Sequence, residues 1–297
     1  MKAAPFAYVR PAALDDVLAE LAGGDGKVLA GGQSLVPVLA MRLGRPATLV
    51  DITAVEELHG FAPTGRPDDR TLRIGAAVRQ RTVERAAQTR AVPLLGRALP
   101  FVGHRELRSR GTVCGSLAYA DPAAELPAVA CCLGARVELA GPAGRRTVDA
   151  REFFVGAMTT AATPEDVVVA VEFPVARAGE GFGFAEIARR HGDFALAGVA
   201  TAVTVGDGGE VREARLTGFG ISDRPVFREV TDLVRAAAGP DVERELRAAT
   251  AELAAELVDT GGDSHGSTGY RRRLFGVLAA RELATALRRA RTNEEQG

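Results

Sequence analysis

The sequence predicts an α+β protein, and two observations carry that reading. Near the N-terminus a short apolar strand, a glycine turn, a helical pattern and a second strand follow one another between residues 28 and 52. Beyond Gly179, two strand-like runs joined by a glycine-rich hairpin precede three helical patterns, the order expected of an antiparallel sheet backed by helices. The chain has 297 residues, enough for two domains, with 46% hydrophobic and 25% charged residues, which excludes disorder and collagen-like structure.

The elements follow in order. Leu14, Val17, Leu18 and Leu21 fall at helical spacing, and Gly23-Gly24 stop that helix. Val28-Leu29-Ala30 reads as a buried strand running into Gly31-Gly32-Gln33-Ser34, then a helical stretch from Leu35 to Leu43 and a strand at Leu49–Ile52. The Pro/Gly-rich segment Ala62–Arg70 reads as a loop, Leu72–Ala76 as a strand and Thr82–Thr89 as a helix. Leu94–Arg108 is helical with breaks at Pro100 and Gly103, and a second glycine turn spans Gly111–Ser116. Val167–Phe173 is a β-branched strand. Phe194–Val205 and Val211–Phe219 pair through Gly206-Asp207-Gly208-Gly209, a hairpin signal. Helices are predicted at Val226–Ala238, Val242–Val258 and Tyr270–Arg289.

Charge excludes several functions. With 37 basic and 38 acidic residues the formal net charge is −1, so no global field draws the chain to nucleic acid or an anionic membrane. No apolar run reaches the roughly 18–20 residues that cross a bilayer, and acidic residues interrupt the N-terminus before any signal-peptide core, so a cytoplasmic protein is expected. Cys114, Cys131 and Cys132 form no CxxC pair, and His59, His104, His191 and His265 lack metal-ligand spacing, so no metal site is expected. P-loop, zincin and GxGxxG motifs are absent. Gly262-Asp263-Ser264-His265-Gly266 fits GxSxG on paper, which makes a serine hydrolase using Ser264 an alternative. The helix-patterned segment before it argues against a nucleophile elbow, which needs a strand there.

The two glycine turns carry more. In a strand–turn–helix context, successive backbone N–H groups converge on an anion, and glycine lets a phosphate approach the main chain. Ala30–Ser34 and Thr112–Ser116 together could grip a diphosphate from two sides, with Gln33, Ser34, Thr112 and Ser116 adding side-chain donors. Either turn alone is more often a plain turn.

AGGQSLVPVLAMRLGRPATLVDI at 30–52, GTVCGSLAYADPAAELPA at 111–128 and RRHGDFALAGVA at 189–200 resemble, in the same order, the FAD-binding medium subunit of the molybdenum hydroxylases, the carbon monoxide dehydrogenase, xanthine dehydrogenase and aldehyde oxidase-type enzymes. The resemblance implies a two-subdomain FAD-binding domain of the vanillyl-alcohol-oxidase type over residues 1–177, divided near 56, and an α+β C-terminal domain over 178–297. It implies non-covalent FAD held by Ala30, Gly31, Gly32, Gln33, Ser34 and Leu35, by Thr112, Val113, Cys114, Gly115 and Ser116, and by Asp121, Glu125, Val168 and Asp193. Glu125 falls where relatives hold ribityl or ribose hydroxyls, a role that suits an acceptor-only carboxylate.

The resemblance further implies partners: a small [2Fe–2S] subunit that delivers electrons and a large molybdopterin subunit that oxidises substrate, assembled as a dimer of heterotrimers. This chain would be the exit, passing electrons through FAD to NAD, a quinone or oxygen, because a flavin exchanges electrons singly or in pairs. No catalytic proton-transfer residue is required in it. A stand-alone FAD oxidoreductase of the same fold is the other alternative, with Tyr119 or His191 as its acid–base group. Three departures from the family pattern stand out: Cys114 in place of the first glycine of a pair, Tyr119 where histidine is common, and Ala185-Glu186-Ile187 where a basic residue is usual. Cys114 implies a backbone without strongly positive φ at that position.

Overall fold

Three main sheets and one two-stranded hairpin are formed among the described residues, in a computed structural model that describes residues 2–237, 239 and 241–294. The first holds three parallel strands, β1 (Ala7–Val9), β2 (Gly26–Leu29) and β3 (Thr48–Asp51), in the order β1-β3-β2. Parallel neighbours need crossover connections, supplied by the helices α1 (Leu14–Leu21) and α2 (Leu35–Ala40). Leu14, Val17 and Leu21 form the buried stripe of α1, as their spacing predicts.

The second sheet is antiparallel, in the order β4-β5-β10-β6-β7, from β4 (Phe61–Thr64), β5 (Thr71–Gly75), β6 (Arg136–Gly141), β7 (Gly144–Asp149) and β10 (Val167–Pro174). Between β5 and β6 run α3 (Gln80–Arg85), α4 (Pro93–Ala98), α5 (Arg105–Arg108), α6 (Val113–Tyr119) and α7 (Glu125–Leu133). The short α8 (Ala150–Phe153) and the hairpin of β8 (Phe154–Gly156) with β9 (Thr159–Thr160) fill the stretch before β10. All nine residues of α7 are buried, as an apolar helix covered on every side requires. Its first residue is the acidic Glu125.

The third sheet, β11 (Glu180–Ala188), β12 (Ala195–Val205), β13 (Val211–Phe219) and β14 (Val226–Glu229), is an antiparallel meander followed by α9 (Thr231–Ala236), α10 (Val242–Leu257) and α11 (Thr268–Glu294). Its two faces join different cores. Phe182, Phe184, Ala200, Ala202 and Phe219 pack into the core of the preceding sheets, while Ala185, Ala197, Val199 and Val203 pack with Leu278, Leu283 and Leu287 of α11. This is the two-residue alternation of a strand buried on both sides.

Three expectations need correcting. Val226–Glu229 is a strand paired with Arg215–Gly218, so the helix predicted from Val226 begins only at Thr231; its predicted end, Ala238, lies outside the described residues. Ala62–Arg70 is not all loop, because Phe61–Thr64 pairs with β5 and keeps Pro63 on the sheet edge, where a missing N–H costs no ladder bond. The helix predicted from Thr82 begins at Gln80 and ends at Arg85, with a 3₁₀ turn at Ala87–Ala91.

Candidate functional site

The two glycine turns meet. The first leaves the C-terminal end of β2 at Ala30 and enters α2 at Leu35. Gly32 takes φ +71°, a left-handed conformation that favours glycine, and its carbonyl accepts Val36 N–H at 3.0 Å to start the helix. Gln33 Nε2 donates to the Gly31 carbonyl at 3.1 Å and fixes the bend. Among the described residues the N–H groups of Gly32, Gln33 and Ser34 donate to no backbone carbonyl.

Gly31 is the point of closest approach. A Cβ on it would lie 2.6 Å from Gly111 Cα and nearer still to the Arg110 carbonyl oxygen, so only glycine lets the first turn rest on the start of the second. A Cβ on Gly115 would lie 2.7 Å from Thr112 Oγ1 and 4.0 Å from Ala30 Cβ, so the turns run close here too.

The second turn is built as a helix start. Thr112 Oγ1 accepts Gly115 N–H at 3.0 Å, an N-cap bond for α6. Gln80 braces it from outside, its backbone N–H donating to the Gly111 carbonyl at 2.9 Å and its Nε2 to the Thr112 carbonyl at 3.3 Å. Cys114 sits in the first turn of α6 with no positive φ, as its side chain implied. Its thiol donates to the Ile74 carbonyl at 3.4 Å, and burial pushes its pKa up to about 12, so it is an inert core group. Val113 is buried in the core, and Ser116 N–H returns to the Thr112 carbonyl at 3.2 Å.

Downstream, Glu125 is 7% exposed at the start of α7, and burial raises its carboxyl to about 7. Burial also raises Asp121, whose Oδ1 accepts Ala123 N–H at 2.9 Å. A residue missed by sequence reasoning as a binding group stands with them. Glu186 of β11 lies on the strand face that carries Phe182 and Phe184, burial and then the neighbouring Glu125 raise it to about 8, and its buried Oε2 has no hydrogen-bond partner. The nearby guanidinium of Arg108 is already committed, bidentate to Glu84 at 3.0 and 3.1 Å and to the carbonyls of Val102 and Gly103. One buried acceptor without a donor, Glu186 Oε2, and a first turn whose amides lack acceptors fit a ligand that brings both hydroxyl groups and an anion. FAD has a diphosphate, ribose and ribityl hydroxyls, so the residues present fit it.

The remaining predicted positions are less closely tied. Val168 is buried at a bulge in the β10–β6 pairing. Asp193 is exposed in the loop after β11, where Gly192 packs against the His104 ring, and no bond joins Asp193 to either turn among the described residues. Ser264 lies in a surface turn between α10 and α11, closed by the Asp263–Gly266 bridge, so it has no elbow strand before it; His265 is held by Arg189 at 2.8 Å. Among the described residues no group of three or more His, Cys, Asp or Glu is arranged to hold a metal, and no helix is long and apolar enough to cross a membrane.

Comparison with known proteins agrees with this geometry. A family model described as the FAD binding domain in molybdopterin dehydrogenase matches residues 4–176, and one described as the CO dehydrogenase flavoprotein C-terminal domain matches 182–286. The chain is 36% identical to the 6-hydroxypseudooxynicotine dehydrogenase complex subunit alpha of Paenarthrobacter nicotinovorans, covering 99% of both chains. It is 34% identical to the caffeine dehydrogenase subunit beta of a Pseudomonas species, covering 96% of both. Carbon monoxide dehydrogenase from Hydrogenophaga pseudoflava contains a chain that superposes with TM-score 0.88 at 30% identity, covering 97% of this chain and 99% of that one. These findings give no support to a hydrolase or to a stand-alone flavoenzyme.

Proposed function

The chain belongs to the FAD-binding medium subunits of the molybdenum hydroxylases, oxidoreductases of the carbon monoxide and xanthine dehydrogenase type, and from that premise we propose how its residues hold the cofactor and where it stands in a complex. The FAD diphosphate is bound between the turns Ala30–Leu35 and Thr112–Ser116, the first offering free main-chain amides and the second chiefly that of Cys114, since Val113, Gly115 and Ser116 N–H are already engaged. Gln33, Ser34 and Ser116 add side-chain donors at the rim. Glu125 and Asp121 accept from sugar hydroxyls, with Glu186 as a third acceptor. Val168 packs beside the cofactor, and Asp193, on the loop carried by β11, approaches its ring end. Residues 1–177 form the FAD-binding domain, divided near 56, and 178–297 the C-terminal domain; the change of sheet after β10 supports that division.

The observation that carries this reading is the seating of Gly31 on Gly111, which brings turns eighty positions apart to one place. FAD, when bound, supplies the junction between one-electron and two-electron transfer. The chain's own contribution is to bind, orient and shield it. The partners that fit are a small [2Fe–2S] subunit delivering electrons and a large molybdopterin subunit, in a dimer of heterotrimers in the cytoplasm, with NAD, a quinone or oxygen as acceptor. The relatives named as subunits of dehydrogenase complexes support a multi-chain assembly.

The test is flavin uptake. The purified chain should bind one FAD non-covalently and quench its fluorescence, and Gly31→Ala should weaken binding by about a hundredfold by wedging the turns apart. A chain that takes up no FAD, or a Gly31→Ala variant that binds it as tightly, would refute the site. Iron and molybdenum in the material that copurifies from the native host would identify the partners.

A further inference from the structure

The cradle formed by the two turns is neutral: main-chain amides offer dipoles and no net charge. Resting on the reading above, we propose that Arg79, with Arg110 beside it, supplies the positive charge that holds the dinucleotide's diphosphate at the seam between the turns.

Position comes first. Arg79 is the residue before α3, and its backbone forms an antiparallel bridge with Thr112, made by the Gln80 N–H bond to Gly111 and the Val113 N–H bond to the Val78 carbonyl. Its side chain therefore leaves from a main chain hydrogen-bonded to the second turn. Arg79 Nη1 donates to the Arg110 carbonyl, the same oxygen on which Gly31 of the first turn rests. One carbonyl thus gathers a guanidinium, the first turn and the start of the second.

Charge comes next. Arg73, Arg108 and Arg271 are buried or half-buried like Arg79, and each is paired with a carboxylate within 3.0 Å. Among the described residues neither Arg79 nor Arg110 has an acid at ion-pair distance. The carboxylate that acts on Arg79 from further off, Asp51, is engaged by Tyr8 Oη at 2.6 Å and Thr53 N–H at 2.8 Å, with Arg10 at 3.8 Å. Burial, and then the like charge of Arg110, lower the proton affinity of Arg79. The half-buried Arg79 and the exposed Arg110 repel one another, and an anion between them removes that cost. A diphosphate has the charge, and Arg offers it a planar fork of donors.

The experiment titrates the flavin-free full chain with FAD at low and high salt, then displaces FAD with ADP and with adenosine. Arg79→Gln should weaken FAD and ADP by about tenfold, leave adenosine unchanged and flatten the salt dependence, since one of its charge-assisted bonds is gone. Arg79→Lys should recover part of the loss, because it keeps charge without the fork. Equal FAD and ADP affinity in Arg79→Gln, with wild-type salt dependence, would overturn the proposal. So would equal losses for ADP and adenosine with a lowered melting temperature that Arg79→Lys fails to restore, which would make Arg79 a brace for the turn. A wild-type chain that binds no FAD at all would instead sink the cofactor reading, and this inference with it.

Discussion

The two turns meet at one place with opposite construction. The first is bare: its bend depends on the left-handed Gly32 and the Cβ-free Gly31, and its amides are free because nothing else uses them. The second is a capped helix start, held by Thr112 Oγ1 from within and Gln80 from outside, and it accepts Cys114 where relatives often have glycine. Glycine is indispensable where two backbones must touch and replaceable where a helix cap fixes the chain. Substitutions in the first turn should therefore act on binding, and substitutions in the second on local stability.

The sharpest separation comes from Gly32→Asp. Aspartate tolerates a left-handed backbone better than most residues, so the fold should survive by circular dichroism. A Cβ there would meet Val36 Cγ2 at 3.1 Å and Leu29 Cδ1 at 3.3 Å, so the substitution both crowds the turn and adds a negative charge beside its free amides, and flavin retention should be lost through a gel-filtration column. Retained flavin would mean the first turn does not touch the anion.

A second effect comes from the acid pair below the second turn. Both Glu125 and Glu186 have folded-state pKa values raised above the ordinary carboxylate range, to about 7 and about 8. A raised acid binds its proton more tightly when folded, so stability is full below about pH 4.3 and falls as pH rises through 7 and 8. The flavin-free chain should melt at progressively lower temperature across that interval. Glu186→Gln should flatten the upper part of the curve, and an unchanged profile would remove Glu186 from the buried pair.

Smaller again is Thr112→Val, which removes the N-cap acceptor and should cost about 1 kcal/mol in urea denaturation, with a lesser effect on FAD affinity. A larger loss of binding than of stability would break the contrast between the turns. The smallest effect on binding should come from Cys114→Gly, which restores the glycine pair: FAD affinity stays unchanged, while the lost buried side chain and helix propensity lower stability by about 2 kcal/mol.

What could be read beforehand divides along similar lines. The β2–turn–α2–β3 unit was visible because apolar spacing changes period on either side of Gly31-Gly32, and the Gly206–Gly209 hairpin because its turn chemistry is local. Val226–Glu229 was misread because Val226, Val230 and Val234 fit a helical stripe, while the first residues are claimed by pairing with β13, a long-range choice. At the site, the glycines and the capping threonine were legible as motifs. Glu186 was not, since a lone glutamate in a strand resembles a solvent-facing residue, and only its placement against Glu125 makes it an unpaired buried acceptor. Arg79 was hidden for the same reason, its meaning lying in which carbonyl it reaches.

The third sheet is a wall shared by two rooms. Phe182 and Phe184 look one way from β11 and Ala185 the other, and each of those phenylalanines gains about 2 kcal/mol from burial against the core of the preceding sheets. Neither room can be vacated alone, because removing the partition strips the lining from both. A fragment ending near residue 177 would present that lining to water and lose Glu186 together with the loop that carries Asp193. The flavin compartment is thus inseparable from the part of the chain that follows it, and proteolysis should yield no stable, cofactor-retaining N-terminal half.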